Sequence, residues 1–289
     1  MPGMCDSAVT GRTQLDQIGL IQFAWMPAST DTVPETVWLL GNKIRWQLAQ
    51  QLSHSDHRVG ELVEAVGERQ NLVSYHLGLL RRAGVVSERR SSHDSRDVYY
   101  SLNLGSLRDG LDQGLAGLHP TLSVTRLEAM PASTEGSPQP RLLFVCTGNS
   151  ARSQLAEAIA RDLARGTAAV FSAGPKPAGI HPMTLTVLKE LGLPAANLRS
   201  KSIDEVGGRF DFVITLCDVA REDCSPFQRG ADVIHWSLPD PAQSNDSRRD
   251  LRQAFKRTAD ELRRRITFLL PLVVEKGSDP KALRRRSRA

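Results

Sequence analysis

A cysteine and an arginine separated by a short polar loop are the residues of this chain best suited to chemistry. Cys146 ends an apolar run, and Arg152 follows six positions later, where a helical pattern begins. Backbone N–H groups at a helix N-terminus bind tetrahedral oxyanions, and the same field favours the nucleophilic thiolate form of a cysteine. The guanidinium of Arg152 can bind two oxyanion oxygens at once. The expected oxyanion-binding loop consists of Thr147, Gly148, Asn149, Ser150, Ala151 and Ser153.

A buried structural cysteine at the end of a strand is the alternative interpretation of Cys146, because free cysteines are often buried. That interpretation gives the polar loop residues no purpose, so we favour the nucleophile.

The elements around this loop are predicted from hydrophobic periodicity. The predicted strands are 169–174, 211–217 and 231–236, and the predicted helices are 182–191 and 246–270. Strands that alternate with helices favour a parallel sheet covered on both faces. Ligands of such sheets bind at the carboxyl ends of the strands, which is where Cys146 falls.

With these residues, the segment from about 141 to 272 resembles the low-molecular-weight protein tyrosine phosphatase family, which includes thioredoxin-coupled arsenate reductases. The resemblance implies an α/β domain with a four-stranded parallel sheet. It implies that Cys146 is the nucleophile, that Arg152 is the oxyanion clamp, and that Asp240 protonates the departing oxygen. It also implies that Ser153 donates a hydrogen bond to the thiolate and that Asn149 braces the loop. An ordinary turn aspartate is the alternative for Asp240, which precedes a proline.

Two further cysteines distinguish the two branches of this family. Hydrolysis of a phosphotyrosine needs one thiolate, whereas reduction of arsenate needs electrons that two more thiols can supply as a disulfide. The resemblance to the reductase branch implies that Cys217 attacks a Cys146–arsenic adduct, releasing arsenite, and that Cys224 then resolves the disulfide. Seven residues of regular helix span about 10 Å, more than a disulfide allows, so the segment 217–224 is expected to loop or unwind. The alternative is that both cysteines are incidental.

The sequence departs from the family pattern at two places. Many reductases carry a second cysteine inside the loop, where this chain has Ala151. The phosphatase branch usually has aromatic residues after its Asp-Pro pair, whereas residues 242–244 here are Ala, Gln and Ser. The second departure disfavours an aryl substrate.

The first half of the chain carries a different pattern. An amphipathic helix is predicted over 35–51, and two short helices over 59–67 and 68–84 form a helix-turn-helix pattern. A strand, a basic turn and a second strand follow over 85–102, as in a hairpin wing. The segment from about 35 to 115 resembles the winged-helix repressors of the arsenical-resistance (ArsR) family. The resemblance implies a homodimer, formed through this domain, on double-stranded operator DNA. A small helical domain with a solvated basic face is the alternative.

In such a complex, one set of side chains would face base edges and a second set would meet phosphates. The first set is Gln70, Asn71, Ser74, Tyr75 and His76, and the second is Arg81, Arg82, Arg89, Arg90 and Arg96. The paired cysteines of many metal-sensing relatives are absent before the recognition helix. His54, Asp56 and His57 form either part of a metal site or a solvated loop; we predict the loop and no metal.

The composition limits the classes of protein to which this chain can belong. The net charge is +5 and the pI about 9.2, which suits DNA binding, and no apolar run is long enough to span a membrane. Four cysteines, three with redox roles, suit a reducing cytoplasm. The predicted divisions are an uninformative segment at 1–32, a winged-helix domain at 33–118, a linker at 119–140, a reductase domain at 141–273 and a basic tail at 274–289.

These observations predict an arsenate reductase fused to a DNA-binding transcriptional regulator. The expected substrate is arsenate or a phosphate oxyanion. No cofactor is expected to bind tightly, and the electron donor would be thioredoxin or a low-molecular-weight thiol. A low-molecular-weight tyrosine phosphatase fused to a DNA-binding domain is the alternative. A third hypothesis makes the second half an oxyanion sensor, although binding alone needs no acid such as Asp240.

Overall fold

A computed structural model describes residues 33–94, 96–118, 139–223, 230–243 and 247–277. The predicted segment 1–32, most of the predicted linker, the tail beyond residue 277 and Cys224 lie outside the described residues. From Pro34 onwards the chain forms one compact unit. None of the helices in the described ranges combines the length and the apolar character needed to cross a bilayer.

The N-terminal part of this unit is mainly helical. Its helices are α1 (Glu35–Leu40), α2 (Lys43–Leu52), α3 (Val59–Val66), α4 (Gln70–Arg82) and α5 (Leu104–Leu118). The single helix predicted over 35–51 is therefore wrong. The break occurs because the side chain of Asn42 accepts hydrogen bonds from the N–H groups of Ile44 and Arg45 and so caps a new helix.

Three short strands complete this part. They are β1 (His57–Arg58), β2 (Val86–Arg90) and β3 (Val98–Leu102), and they form an antiparallel sheet in the order β1-β3-β2. Strands β2 and β3 pair from Val86 opposite Leu102 to Arg90 opposite Val98. We call this pair and its turn the β2–β3 hairpin. Strand β1 was not predicted, since two residues give no periodic pattern.

The C-terminal part contains the predicted four-stranded parallel sheet. Its strands are β4 (Arg141–Val145), β5 (Ala169–Ala173), β6 (Phe212–Thr215) and β7 (Asp232–His235), in the order β5-β4-β6-β7. The central strand β4 is buried along 142–145 because helices cover both faces of the sheet, which explains its unbroken apolar sequence. Val145 pairs with Thr215, so Cys146 and Cys217 follow adjacent strand ends.

Five helices accompany this sheet. They are α6 (Arg152–Ala164), α7 (Pro182–Glu190), α8 (Ile203–Val206), α9 (Asp218–Asp223) and α10 (Arg248–Gly277). The last helix continues past Pro271 and is longer than predicted. Helix α9 begins directly after Cys217, so the segment 217–224 begins as a helix. The predicted unwinding of this segment stays a prediction.

Buried charges join the N-terminal elements to the C-terminal sheet. Asp56 is 2% exposed, accepts a hydrogen bond from the N–H of Ser237 (2.7 Å) and pairs with Arg265 (3.0 Å). This burial corrects the expectation of a solvated loop at Asp56. Glu61 pairs with Arg221 at 2.6 Å. Of these two pairs only Asp56–Arg265 is largely buried, and removing one member of a buried pair typically costs about 3–5 kcal/mol, because the other charge stays buried.

The contacts of Glu61 lower the pKa of its carboxyl group. Burial alone would raise the pKa of this carboxyl. Hydrogen bonds from His57 and the backbone of Arg58, with the charges of Arg221 and Arg58, outweigh burial and lower the pKa to about 2. Glu61 is therefore ionised at neutral pH and remains paired across the two parts.

Candidate active site

A cavity of about 350 Å³ opens where strands β4 and β6 end. Its lining residues are Ser92, Cys146, Thr147, Gly148, Ser150, Ala151, Arg152, Cys217, Val219, Asp240, Ala242 and Gln243. Four of the five residues predicted to be catalytic therefore meet in one place, Cys146, Arg152, Cys217 and Asp240, together with residues of the predicted oxyanion-binding loop. Ser92 comes from the β2–β3 hairpin, and its presence in this cavity was not predicted.

The loop from Thr147 to Ala151 is held by hydrogen bonds to its carbonyl groups. Three of these carbonyl oxygens accept hydrogen bonds from the segment 176–181. The pairs are Thr147 with the N–H of Lys176 (3.0 Å), Gly148 with Ala178 (3.0 Å) and Ser150 with His181 (3.1 Å). A loop whose carbonyls are bonded to another segment, followed by the first turn of a helix, can offer its N–H groups to an anion.

Asn149 holds the loop in this shape. It is fully buried and has a positive φ of 42°, a conformation that asparagine tolerates better than most residues. Its side-chain oxygen accepts from the N–H of Lys201 (2.7 Å), which fixes the orientation of the amide. Its Nδ2 then donates to Ser153 (2.9 Å) and Ser172 (2.8 Å).

This orientation prepares Ser153 to serve Cys146. The Ser153 hydroxyl oxygen accepts from Asn149, so its own proton is available to another acceptor. The Sγ of Cys146 lies 2.9 Å from that oxygen. The geometry therefore allows the hydroxyl to donate to a thiolate at Cys146.

Arg152 and Asp240 meet on the other side of the cavity. Arg152 is 7% exposed; its Nη1 donates to the carbonyl of Leu238 (3.0 Å) and its Nη2 to Asp240 (3.1 Å). Its Nε is buried and has no hydrogen-bond partner within the described residues. A buried donor of this kind calls for an acceptor, and an oxyanion in the cavity would supply one.

Cys217 lies in the wall of the same cavity. Its Sγ is 3.3 Å from the hydroxyl of Thr147. Burial raises the pKa of the Cys217 thiol above its usual value, although the charge of Arg152 and the hydrogen bond of Thr147 work in the opposite direction. In most molecules the Cys217 thiol is therefore protonated at neutral pH.

A buried polar network beneath the loop was missed from the sequence. Glu157 of α6 is fully buried, accepts a hydrogen bond from Ser172 and pairs with Lys201 at 3.2 Å. Ser172 and Lys201 are also the partners of Asn149, so the network ties α6, β5 and the loop together. One signal was available: a glutamate within the apolar run of α6.

We predict that Gly174→Ala distorts the loop. A Cβ at Gly174 would lie 2.4 Å from the carbonyl oxygen of Cys146 and 2.8 Å from the nitrogen of Asn149, both backbone atoms that cannot swing aside. The free energy of unfolding should fall by about 1–3 kcal/mol. Affinity for inorganic phosphate should fall about tenfold or more, since misplaced donors bind poorly. Urea unfolding and calorimetric titration measure the two effects.

Gly60→Ala is the matched control, because a Cβ at Gly60 of α3 meets nothing within 4 Å. That variant should bind phosphate like the wild type. Wild-type affinity in Gly174→Ala would show that the close approach does not shape the loop.

The residues predicted to contact base edges differ in their exposure to solvent. Gln70, Asn71, Ser74 and Tyr75 are exposed on one side of α4. His76 is 7% exposed and faces the core, which corrects the expectation that it reaches a base edge.

The five arginines predicted to meet phosphates also differ in their surroundings. Arg82 and Arg90 are exposed, Arg81 is exposed beside Glu88, and Arg96 is exposed beside Asp94. Arg89 is turned inward to Asp218 and Ser237. This contact corrects the expectation that Arg89 is presented to a phosphate.

A sequence model of the low molecular weight phosphotyrosine protein phosphatase family matches residues 141–285. Proteins named arsenate reductase from Halalkalibacterium halodurans and Bacillus subtilis are each 33% identical over 126 residues, which is 43% of this chain and 91% of theirs. A solved arsenate reductase in the phosphate-binding state is 26% identical, covers 47% of this chain and 99% of its own, and has a TM-score of 0.42.

Proposed function

The chain belongs, through its C-terminal half, to the low molecular weight phosphotyrosine protein phosphatase family, and from this premise we propose that it reduces arsenate to arsenite. The observation that carries the proposal is the presence of Cys217 in the wall of the cavity that holds Cys146 and Arg152. A hydrolase of this family needs one cavity thiol, whereas a reductase needs a second thiol to remove the arsenic.

The first step uses the oxyanion loop. Arsenate binds to the loop N–H groups and to Arg152, whose Nε gains an acceptor. The Cys146 thiolate attacks arsenic and forms a sulfur–arsenic bond, while one oxygen leaves as water with a proton from Asp240. Ser153 stabilises the thiolate before the attack. Arsenic remains in the +5 state at this point.

The second step moves two electrons. The Cys217 thiolate attacks the Sγ of Cys146, a disulfide forms, and the electron pair of the sulfur–arsenic bond passes to arsenic, which leaves as arsenite. Cys224 then attacks Cys217, which frees Cys146 and leaves a Cys217–Cys224 disulfide. Thioredoxin or a low-molecular-weight dithiol reduces that disulfide and closes the cycle. No tightly bound cofactor enters this scheme.

Arsenate-dependent oxidation of NADPH, with thioredoxin and its reductase added to the full chain, tests the proposal. We expect turnover with arsenate and weak hydrolysis of para-nitrophenyl phosphate. Hydrolysis without any arsenate turnover, also when glutathione and glutaredoxin replace thioredoxin, would make the chain a phosphatase with two incidental cysteines.

We predict that arsenite release rises with pH. Since burial raises the pKa of Cys217, the thiolate is a minor form at neutral pH, and its fraction grows about tenfold per pH unit below that pKa. Single-turnover release of arsenite should therefore increase from about pH 7 to pH 9. Aryl phosphate hydrolysis, which does not use Cys217, serves as the internal control. A flat or falling profile for arsenite release would contradict the assignment.

For the N-terminal part we propose a winged-helix DNA-binding domain of the ArsR type over 33–118, joined through 119–140 to a reductase domain over 141–273. In support, α3 and α4 pack together beside the β2–β3 hairpin, and α4 presents Gln70, Asn71, Ser74 and Tyr75 outward. Arg81, Arg82, Arg90 and Arg96 would meet phosphates.

Selection of duplexes from a random pool by the full chain tests the DNA-binding proposal. Palindromic sequences should be enriched, and Tyr75→Ala should weaken their binding about tenfold. Lys189→Ala, on an exposed position of α7, should bind as the wild type does. The absence of any enriched sequence would refute the proposal.

We also propose a homodimer through the N-terminal domain, supported by apolar side chains that α1 and α5 leave exposed. Trp38 is 56% exposed and Leu118 is 74% exposed. Exposed apolar groups of this size favour association, and sedimentation of the full chain measures it.

A further inference from the structure

A buried carboxylate stands directly beside Cys217. Asp218 is the first residue of α9, and its side chain is fully buried. One of its oxygens accepts three hydrogen bonds from the β2–β3 hairpin: from Arg89 Nη2 (2.5 Å), from the N–H of Ser92 (2.7 Å) and from the hydroxyl of Ser92 (2.9 Å). The other oxygen accepts from the hydroxyl of Ser237 (2.6 Å) and lies 3.3 Å from His235 Nε2.

Arg89 supplies the charge that balances this carboxylate. Burial alone would raise the pKa of Asp218, but His235, the hydroxyl of Ser237 and the donors of the hairpin hold that pKa well below its usual range. Burial lowers the pKa of His235, so the ring is neutral near pH 7. Among the described residues, the guanidinium of Arg89 is therefore the cation paired with the ionised Asp218.

The hairpin also touches the segment that carries the candidate acid. Arg89 Nε donates to the carbonyl of Ser237 (3.0 Å), and Arg89 Nη2 bonds to its hydroxyl. Ser237 lies three residues before Asp240, and Ser92 lines the cavity itself. Arg89 and Ser92 of the N-terminal part thus contact Asp218, which follows β6, and Arg89 also contacts Ser237, which follows β7.

Helix α9 needs such support. It has six residues, too few to be stable without tertiary contacts. The N–H of Arg221 bonds to the carbonyl of Cys217 (3.2 Å), so the position of Cys217 follows that of the helix. Contacts that hold Asp218 therefore hold the neighbouring thiol.

We propose that Arg89 and Ser92 are positioning residues for Cys217, so that the β2–β3 hairpin of the N-terminal part completes the reductase site. This proposal rests on the proposed function, since it assigns the hairpin to the step in which Cys217 attacks the Sγ of Cys146. It makes the N-terminal part a structural component of the reaction and not only a DNA-binding attachment.

The first test uses Arg89→Gln and Arg89→Lys in the full chain. Arg89→Gln should slow single-turnover arsenite release about tenfold to a hundredfold, since the attacking atom is displaced. Hydrolysis of para-nitrophenyl phosphate should change less. The alkaline limb of the arsenite-release profile should move to higher pH, because an unbalanced Asp218 charge disfavours the thiolate. Arg89→Lys keeps the positive charge, so it should partly restore the rate of arsenite release and the position of the alkaline limb.

A second measurement does not depend on arsenate turnover. In Arg89→Gln, the limiting rate at which Cys217 reacts with iodoacetamide at alkaline pH, where the thiolate fraction no longer limits the reaction, should exceed that of the wild type, as followed by mass spectrometry of the full chain, because α9 is held less firmly. If the wild type lacks arsenate turnover but this difference is present, the proposed function fails and the positioning of Cys217 stands.

The double variant Arg89→Gln/Asp218→Asn guards against misfolding, since it leaves no unbalanced charge. Its free energy of unfolding should recover towards that of the wild type. Unchanged arsenite release and unchanged alkylation in Arg89→Gln would overturn the proposal. An equal loss of arsenite release and aryl phosphate hydrolysis would also overturn it, by showing that the hairpin supports the whole site without distinguishing Cys217.

Discussion

Cys146→Ser is expected to abolish both arsenate reduction and aryl phosphate hydrolysis, with a loss in kcat on the order of 10⁴-fold or more. A serine hydroxyl ionises far less readily than a thiol, and the carboxyl group that lines the cavity, Asp240, is bonded to Arg152 (3.1 Å). NADPH oxidation coupled to thioredoxin and the release of para-nitrophenol measure the two activities.

Inorganic phosphate should still bind to Cys146→Ser, because the loop and Arg152 are unchanged; calorimetry checks this point. Cys5→Ser is the control for the loss of a thiol elsewhere and should keep both activities. Hydrolysis within about tenfold of the wild type in Cys146→Ser would place the nucleophile elsewhere.

Cys217→Ser is expected to remove arsenate turnover and to leave aryl phosphate hydrolysis within about twofold of the wild type. Serine keeps a hydroxyl beside Thr147, so the cavity wall should retain its shape. It has no thiol to break the sulfur–arsenic bond, so arsenite cannot leave by the proposed route. The two assays used for Cys146→Ser apply here on the same protein sample.

Cys224→Ser is the matched variant for the relay. It should release one arsenite per chain and then stop with a Cys146–Cys217 disulfide, which mass spectrometry detects as a loss of two hydrogens. Continued arsenate turnover in Cys217→Ser would refute the relay, and an equal loss of hydrolysis would assign Cys217 to the structure of the site.

The C-terminal sheet and the cavity were predictable because their signals are local. Strand β4 is an unbroken apolar run, and the cysteine, the loop and the helix that follow it are contiguous in sequence. Cys217 lies two residues after the end of β6 and Asp240 five residues after the end of β7, and the ends of parallel strands gather at one edge. The sequence order therefore already implied that these side chains converge.

The contacts that hold the site were not predictable in this way. Gly174 must be glycine because the backbone of another segment lies against it, and its own φ carries no sign of that approach. Asp56 and Arg265 are more than two hundred positions apart, and the residues around each of them do not indicate which residue it pairs with. Arginine is a residue type expected to contact phosphate, but the ion pair with Asp218 turns the side chain of Arg89 inward.

Two ion pairs, Asp56–Arg265 and Arg89–Asp218, join the N-terminal part to the C-terminal part, so the stability of each part depends on the other. The match to the low molecular weight phosphotyrosine protein phosphatase family covers residues 141–285 and does not include the N-terminal part. Here Asp218 and Arg265 have partners, Arg89 and Asp56, that a C-terminal fragment would lose. Such a fragment would be weakened, because Asp218 would keep the hydrogen bond of Ser237 without the charge of Arg89, and Arg265 would keep, of its two described ion pairs, the one with Glu261. Stability is therefore a joint property of the two parts: a substitution in an N-terminal helix, far from any thiol, lowers the population of chains with an intact oxyanion loop.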